Sequence, residues 1–164
     1  MTSLEFKKIL FQAAFSIMAC DGEIHDTELS EIKDIAENSI FFDGLNHEEE
    51  LQMQVSIFKA KGGLAIQDFF KLIQATNLSA IQEEHLIEVL IRIINADHKV
   101  DENEVHFLSE VRRTLKIDDT KLVVKFPKHI NLLLNLSQYD SKNIAASFDN
   151  LNFDNVSGFL KLND

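Results

Sequence analysis

The sequence predicts an all-α fold, a compact bundle of about seven helices with an internal pseudo-twofold duplication. Apolar residues recur at helical spacing along most of the chain, and the 164 residues include only one Pro and five Gly. Runs of alternating polarity are scarce, so helices are favoured over strands. Hydrophobic residues make up 45% of the chain and charged residues 26%, which is typical of a globular domain.

Four helices are predicted in the first half of the chain. Ser3 is the expected cap of the first helix, and the turn Asp21-Gly22 ends it because glycine takes a positive φ at no steric cost. The linker Phe41-Phe42 is expected to anchor on the core through its two aromatic rings. The predicted extents are Ser3 to Cys20, Asp26 to Ser39, Asn46 to the stop at Gly62-Gly63, and Ile66 to Thr76.

The second half is predicted to hold three more helices and a tail. Ser79 caps the fifth helix with Gln82 in capping-box register, and this helix runs to Ala96. The sixth covers Glu102 to Leu115, and a seventh begins at Asp118 or Asp119 with a break at Pro127 before Ile130 to Leu136. We expect residues 1–136 to form one domain and the Asn-, Asp- and Ser-rich residues 137–164 to be an irregular tail packed on it by Phe148, Phe153 and Phe159.

One acidic stretch occurs twice, each time between two helices. Asp21-Gly22-Glu23-Ile24-His25-Asp26-Thr27-Glu28 recurs 76 positions later as Asp97-His98-Lys99-Val100-Asp101-Glu102-Asn103-Glu104. The register continues into the following helix, where Leu29 matches Val105 and Ile32 matches Leu108. Such a match over about twenty residues indicates an internal duplication.

The net charge of −11 excludes some partners. It argues against nucleic acid, which is bound through cationic contacts, and against insertion into or binding to an anionic membrane. The most apolar stretch, Leu86 to Ile94, is too short to span a bilayer. Cys20 is the only cysteine, so it predicts neither a disulfide nor a thiolate-rich zinc site. A cytoplasmic protein that meets cations or basic protein surfaces is expected.

The two loops do not fit an ordinary calcium-binding EF-hand. Asp21, Gly22 and Glu28 match the second half of such a loop, but the first ligand positions fall on Ile17 and Ala19. The sequence instead predicts one site shared by the two loops, because clustered carboxylates need a cation or protons to compensate their charge. The predicted ligands are Asp21, Glu28, Asp97 and Glu104, with Asp101 and His25 in support.

The metal and the role of the motif stay open at this point. Oxygen ligands favour calcium, magnesium or manganese, and the histidine keeps zinc open. Alternatively the motif only builds helix starts: Asp101 caps a helix, Glu104 reaches back to its amide, and Ile24 and Val100 hold the loops in the core. No motif for nucleophilic catalysis or phosphate binding is present, so no enzymatic activity is predicted.

The loops and their flanking helices resemble a known family. The run from Ala13 to Ile24 followed by Glu28 and Leu29, and the run from Ile94 to Asp101 followed by Glu104, are similar to the tellurite-resistance TerB-like domain over approximately residues 4–118. The resemblance implies a compact domain of about seven helices with pseudo-twofold symmetry and metal-binding acidic loops in bacterial stress-response systems. His98 in place of Gly22 is a departure that makes equal metal affinity of the two loops unexpected.

Two functions are therefore expected from the sequence. The first is a non-catalytic module that binds a divalent metal ion between its acidic loops and acts in metal, tellurite or general stress response. The second is a protein-interaction module, co-chaperone-like or a scaffold, whose acidic loops are purely structural. A protein partner is expected in either case, and the oligomeric state, including a homodimer, is left open.

Overall fold

The computed structural model describes residues 1–96, 100–134 and 136, and within them every regular element is helical. The predicted all-α fold is confirmed. The described residues form eight α-helices and a short 3-10 helix, Pro127–His129, which supplies the break expected at Pro127. The α-helices are α1 Ser3–Ala19, α2 Asp26–Asn38, α3 His47–Lys61, α4 Gly63–Ala75, α5 Ala80–Ile94, α6 Glu102–Thr114, α7 Asp119–Lys125 and α8 Ile130–Leu134.

The helix starts are set by side chains that accept the first free backbone amides. Ser79 and Gln82 form the predicted capping box of α5, in which the Ser79 hydroxyl accepts from the Gln82 amide at 3.2 Å. The cap predicted at Ser3 is wrong by one residue. Thr2 occupies that position, because its hydroxyl accepts from the Glu5 amide while the Glu5 carboxylate accepts from the Thr2 amide.

A single residue, Gly62, lies between α3 and α4, and a second glycine is the first residue of α4. Gly62 has a φ of +57°, a region that residues with a side chain rarely adopt, and it ends α3 where the stop was predicted. Gly63 then begins α4, three residues before the predicted start at Ile66. The two helices therefore pack against each other directly after a sharp turn.

The core is built around α1, which packs against α2, α3, α4, α5 and α6. Aromatic pairs fill the space between these helices, with Phe11 against Phe42 and Phe15 against Phe58, both at ring-centroid distances of 5.1 Å. Phe42 comes from the linker before α3, which confirms the anchoring expected for it. Burial of several large aromatic side chains is the main stabilising contribution to such a core.

The helix pairs α1–α2 and α5–α6 place the two acidic loops at the same end of the bundle. Helices α2 and α6 begin and end at positions that are 76 residues apart, as the repeated motif predicted. Helix α2 is joined to α5 by Arg92, whose guanidinium donates to Glu31 and Asp34, both at 2.9 Å. The predicted tail, residues 137–164, lies outside the described residues.

Candidate functional site

The two acidic loops meet in one cavity of about 630 Å³, which we call the acidic cavity. Side chains from the first loop and the start of α2 form one wall, and residues before and within the first turn of α6 form the other. Its lining residues are Asp21, His25, Asp26, Thr27, Val100, Asp101 and Glu104. Four of the six predicted site residues are thus brought together, from positions about eighty residues apart in the chain.

The first loop is closed by hydrogen bonds of the Asp21 carboxylate. One oxygen accepts from the Glu23 amide at 2.9 Å, and the other lies 3.1 Å from Nε2 of His25. Gly22 supports this turn with a φ of +85°. The Asp21 carboxylate is therefore held in the wall of the cavity by its own loop.

The second loop leads into α6 through Asp101. The Asp101 carboxylate accepts from the Asn103 amide at 2.8 Å, so the predicted capping role of Asp101 is confirmed. His25 holds the corresponding position before α2 and makes no side-chain cap. Its imidazole pairs with Asp21 instead, which leaves the two loops chemically different.

Glu28 and Glu104 lie in the first turns of α2 and α6 and are almost completely buried, with 2% and 3% of their surfaces exposed. The positive end of a helix macrodipole favours a carboxylate at this position. Glu104 lines the acidic cavity, whereas Glu28 lies outside its lining. Of these two buried carboxylates, Glu104 therefore contributes to the wall of the acidic cavity.

The buried thiol of Cys20 is influenced by carboxylates from both loops. Burial raises the pKa of Cys20 well above its usual range, and the negative charges of Glu104, Asp21, Asp101 and Glu28 raise it further. One buried thiol at the end of α1 is thus within electrostatic reach of four carboxylates from both loops. Cys20 is a free, buried cysteine, and it lies beside the site because it directly precedes Asp21 in the chain.

Two expectations about the loops have different outcomes. Ile24 is half-buried and packs against the core as expected. Val100 does not, because 54% of its surface is exposed and its side chain lines the acidic cavity. The expectation that Val100 holds the second loop in the core is therefore wrong.

The described residues supply the donor chemistry for a hard cation, but only part of a ligand set. Carboxylate oxygens are the preferred ligands of calcium, magnesium and manganese. Within residues 1–96, 100–134 and 136, no group of three or more His, Cys, Asp or Glu side chains is arranged to hold a metal ion. The remaining predicted ligand, Asp97, lies outside the described residues, so the complete ligand set stays a prediction.

The family of this chain is shown by one family model that matches more than half of its residues. The family model described as tellurite resistance protein TerB matches residues 7–124, which include both acidic loops, the helices α2, α5 and α6, and most of α1. The chain belongs to the TerB family. The resemblance expected over approximately residues 4–118 is thereby confirmed, and the acidic cavity lies inside the TerB region. No curated protein and no solved structure matches the chain.

Membership of the TerB family associates the chain with tellurite resistance and stress response. In the part of the chain that the structure describes, every helix is too short or too polar to cross a membrane.

A further buried carboxylate was missed by sequence reasoning: Glu83 accepts from the amides of Lys116 and Ile117, both at 2.9 Å. Its partners are more than thirty residues away in the sequence, so no local signal could have indicated them.

Proposed function

We propose that this TerB-family protein is a non-catalytic module that binds a divalent cation in the acidic cavity and acts in bacterial metal, tellurite or general stress response. The observation that carries the proposal is the convergence of both acidic loops on one cavity. Asp21, Asp101 and Glu104 line it from two sides. We assign the ligand role to Asp21, Glu28, Asp97 and Glu104, with Asp101 and His25 in support.

Charge determines which ligand class suits this cavity. Carboxylates of both loops line the acidic cavity, and a bound cation would offset the repulsion between like charges brought together there. The same carboxylates would repel an oxyanion such as tellurite. Under this proposal the protein contributes to tellurite tolerance through a bound cation, and not by binding tellurite in the acidic cavity.

Calorimetric titration of chelator-treated protein with calcium, magnesium, manganese and zinc tests the proposal. The test variant is Glu28→Gln with Glu104→Gln, which removes two buried charges while keeping the side-chain size. The matched control is Glu37→Gln with Glu49→Gln, which removes two charges from exposed positions in α2 and α3. We expect saturable binding to the wild type and the control, and loss of that binding in the test variant.

A thermal-unfolding series on the same three proteins gives an independent measurement. A ligand that binds only the native state raises its stability by about 2.7 kcal/mol when its concentration is 100 times Kd. We therefore expect the metal to raise the Tm of the wild type and control only. Absence of binding by all four metals would reject the proposal.

The local hydrogen bonds favour a second candidate function. The Asp101 carboxylate caps α6, and the Asp21 carboxylate pairs with His25 within its own loop, so both have structural roles. In this alternative the loops only shape the bundle, and the protein is an interaction module with an acidic surface. Metal-independent stability together with retained partner binding in the glutamine variant would favour it.

A further inference from the structure

A second cavity, of about 380 Å³, lies between α1, α2 and α3 and shares no lining residue with the acidic cavity. We call it the α2 groove. Its floor is apolar and is formed by Phe11, Leu29, Ile32, Ala36 and Leu51. The volume is within the range of about 300–1,000 Å³ that is usual for ligand pockets. An apolar floor open to solvent favours an occupant with apolar side chains.

The second helix pair shows what occupies the corresponding face of α6. Lys33, at the rim of the α2 groove, matches Ser109 in the 76-residue register. The Ser109 hydroxyl donates to the backbone carbonyl of Leu136 at 3.2 Å, and Leu133 and Leu136 are buried in the core. Ser109 is 1% exposed, whereas Lys33 is exposed. The backbone of Leu136 thus lies against α6 at the position that corresponds to Lys33 at the rim of the open α2 groove.

A second position in the same register supports this comparison. Ala36, on the floor of the groove, matches Arg112 of α6. The Arg112 guanidinium donates to the Asp119 carboxylate at 3.1 Å, at the start of α7. The face of α6 is therefore joined to the chain that follows it, while a small side chain at Ala36 leaves space on α2.

The rim of the α2 groove adds a charge preference. Glu37 and Glu48 are exposed carboxylates on two sides of it, and Lys33 is the one lysine or arginine among its lining residues. The His47 ring is already engaged, since its Nε2 donates to the Phe42 carbonyl at 3.2 Å. With a chain charge of −11, this rim favours a basic partner over an acidic one.

We propose that the α2 groove binds a helical turn of a partner protein that presents two leucines three residues apart between flanking lysines or arginines. The two leucines have the spacing of the buried Leu133 and Leu136 and fill the apolar floor, and the basic flanks pair with Glu37 and Glu48. This is recognition of an amphipathic helix by a groove, in which apolar anchors supply affinity and charges supply specificity.

The test uses a fluorescein-labelled peptide with the chain's own sequence Ile130 to Leu136 between two lysines on each side. Fluorescence anisotropy measures its binding to the full chain. The variant Ala36→Arg places in the groove the side chain found at the corresponding position of α6, and it leaves the rim carboxylates in place. The control Ile81→Arg introduces an arginine at an exposed apolar position of α5.

We expect saturable binding to the wild type and to Ile81→Arg, and at least about tenfold weaker binding to Ala36→Arg. A peptide with glutamates in place of the flanking lysines is expected to bind the wild type at least about tenfold more weakly, a comparison that needs no protein variant. Circular dichroism confirms that Ala36→Arg is folded. Cation binding in the acidic cavity is expected to be unchanged in Ala36→Arg, which separates this test from that of the proposed function.

Three results would overturn the proposal. One is absence of saturable peptide binding to the wild type, and another is equal binding by Ala36→Arg and the wild type. The third is a wild-type dimer in sedimentation that Ala36→Arg converts to a monomer, since that result assigns the α2 groove to a second copy of this chain.

Discussion

The imidazole Nε2 of His25 lies 3.1 Å from Oδ2 of Asp21, so the first acidic loop is closed by its own side chains. Because the other oxygen of Asp21 accepts from the Glu23 amide, both oxygens of this carboxylate are already engaged. A cation at Asp21 must therefore either displace the imidazole or share the carboxylate with it. The two arrangements predict different metal preferences.

Replacing His25 distinguishes a cation that takes the place of the imidazole from one that shares the Asp21 carboxylate with it. Zinc accepts imidazole nitrogen as a ligand, whereas magnesium prefers oxygen. For His25→Gln we expect zinc affinity to fall about tenfold or more and magnesium affinity to change less than about threefold. Titration calorimetry measures both, with His47→Gln as the control outside the acidic cavity. An equal loss for the two metals would mean that His25 positions Asp21 and does not bind the ion.

The raised pKa of Cys20 predicts how stability depends on pH. Above about pH 8.5 the thiol ionises in the unfolded chain but keeps its proton in the native protein, because burial and the nearby carboxylates raise its pKa. The native state then binds more protons, so stability is fully present below that pH and is lost as the pH rises. The expected slope is up to about 1.4 kcal/mol per pH unit.

Urea unfolding of the wild type and Cys20→Ala between about pH 7.5 and 9.5 measures this slope. The variant also loses packing in the core, so only the difference between the two slopes is compared. Equal slopes in the wild type and Cys20→Ala would show that the thiol does not contribute to the pH dependence of stability. A thiol reagent provides a second check, since we expect Cys20 to react only on unfolding.

Glu83 is expected to be important for stability because both of its oxygens accept backbone amides. In Glu83→Gln, one oxygen is replaced by an NH₂ group, which cannot accept from Lys116 or Ile117. A partly buried amide is then left without its acceptor, at a cost on the order of 1 kcal/mol. The neighbouring Glu84→Gln is the control, because Glu84 makes only a partly exposed pair with Lys125 at 3.6 Å. Similar unfolding free energies for the two variants would contradict this role.

The contact of Arg92 with Glu31 joins α2 to α5 and can be measured by a double-mutant cycle. Both side chains are partly exposed, so we expect a coupling free energy on the order of 1 kcal/mol or less for Arg92→Met and Glu31→Gln. The coupling is expected to decrease with added salt because exposed charges are screened. Zero coupling at low ionic strength would show that the pair does not hold α2 in place.

Most of the fold could be predicted from local patterns. The predicted second and sixth helices differ from α2 and α6 by one residue at their ends, because caps and apolar spacing act within a few residues. The start of α4 was misplaced since Gly62 completes the turn alone and Gly63 is helical. The sequence favours neither glycine for the turn, and packing decided between them.

The acidic cavity was only partly predictable. The repeated motif indicated that Asp21 and Glu104 would face each other, and both line the cavity. The exposure of Val100 could not be foreseen, because an apolar residue in a loop gives no information about which side of the loop faces solvent. The α2 groove depends on what packs beside α2 in three dimensions and has no signature in the sequence.

Each helix pair supplies one wall of the acidic cavity, and this sets a constraint on loop length. The loops that follow α1 and α5 start from helices packed side by side, so inserting or deleting a residue in either loop moves a wall that faces the other. The geometry of the cavity therefore depends jointly on two segments 76 positions apart. Their lengths are expected to change together, or not at all.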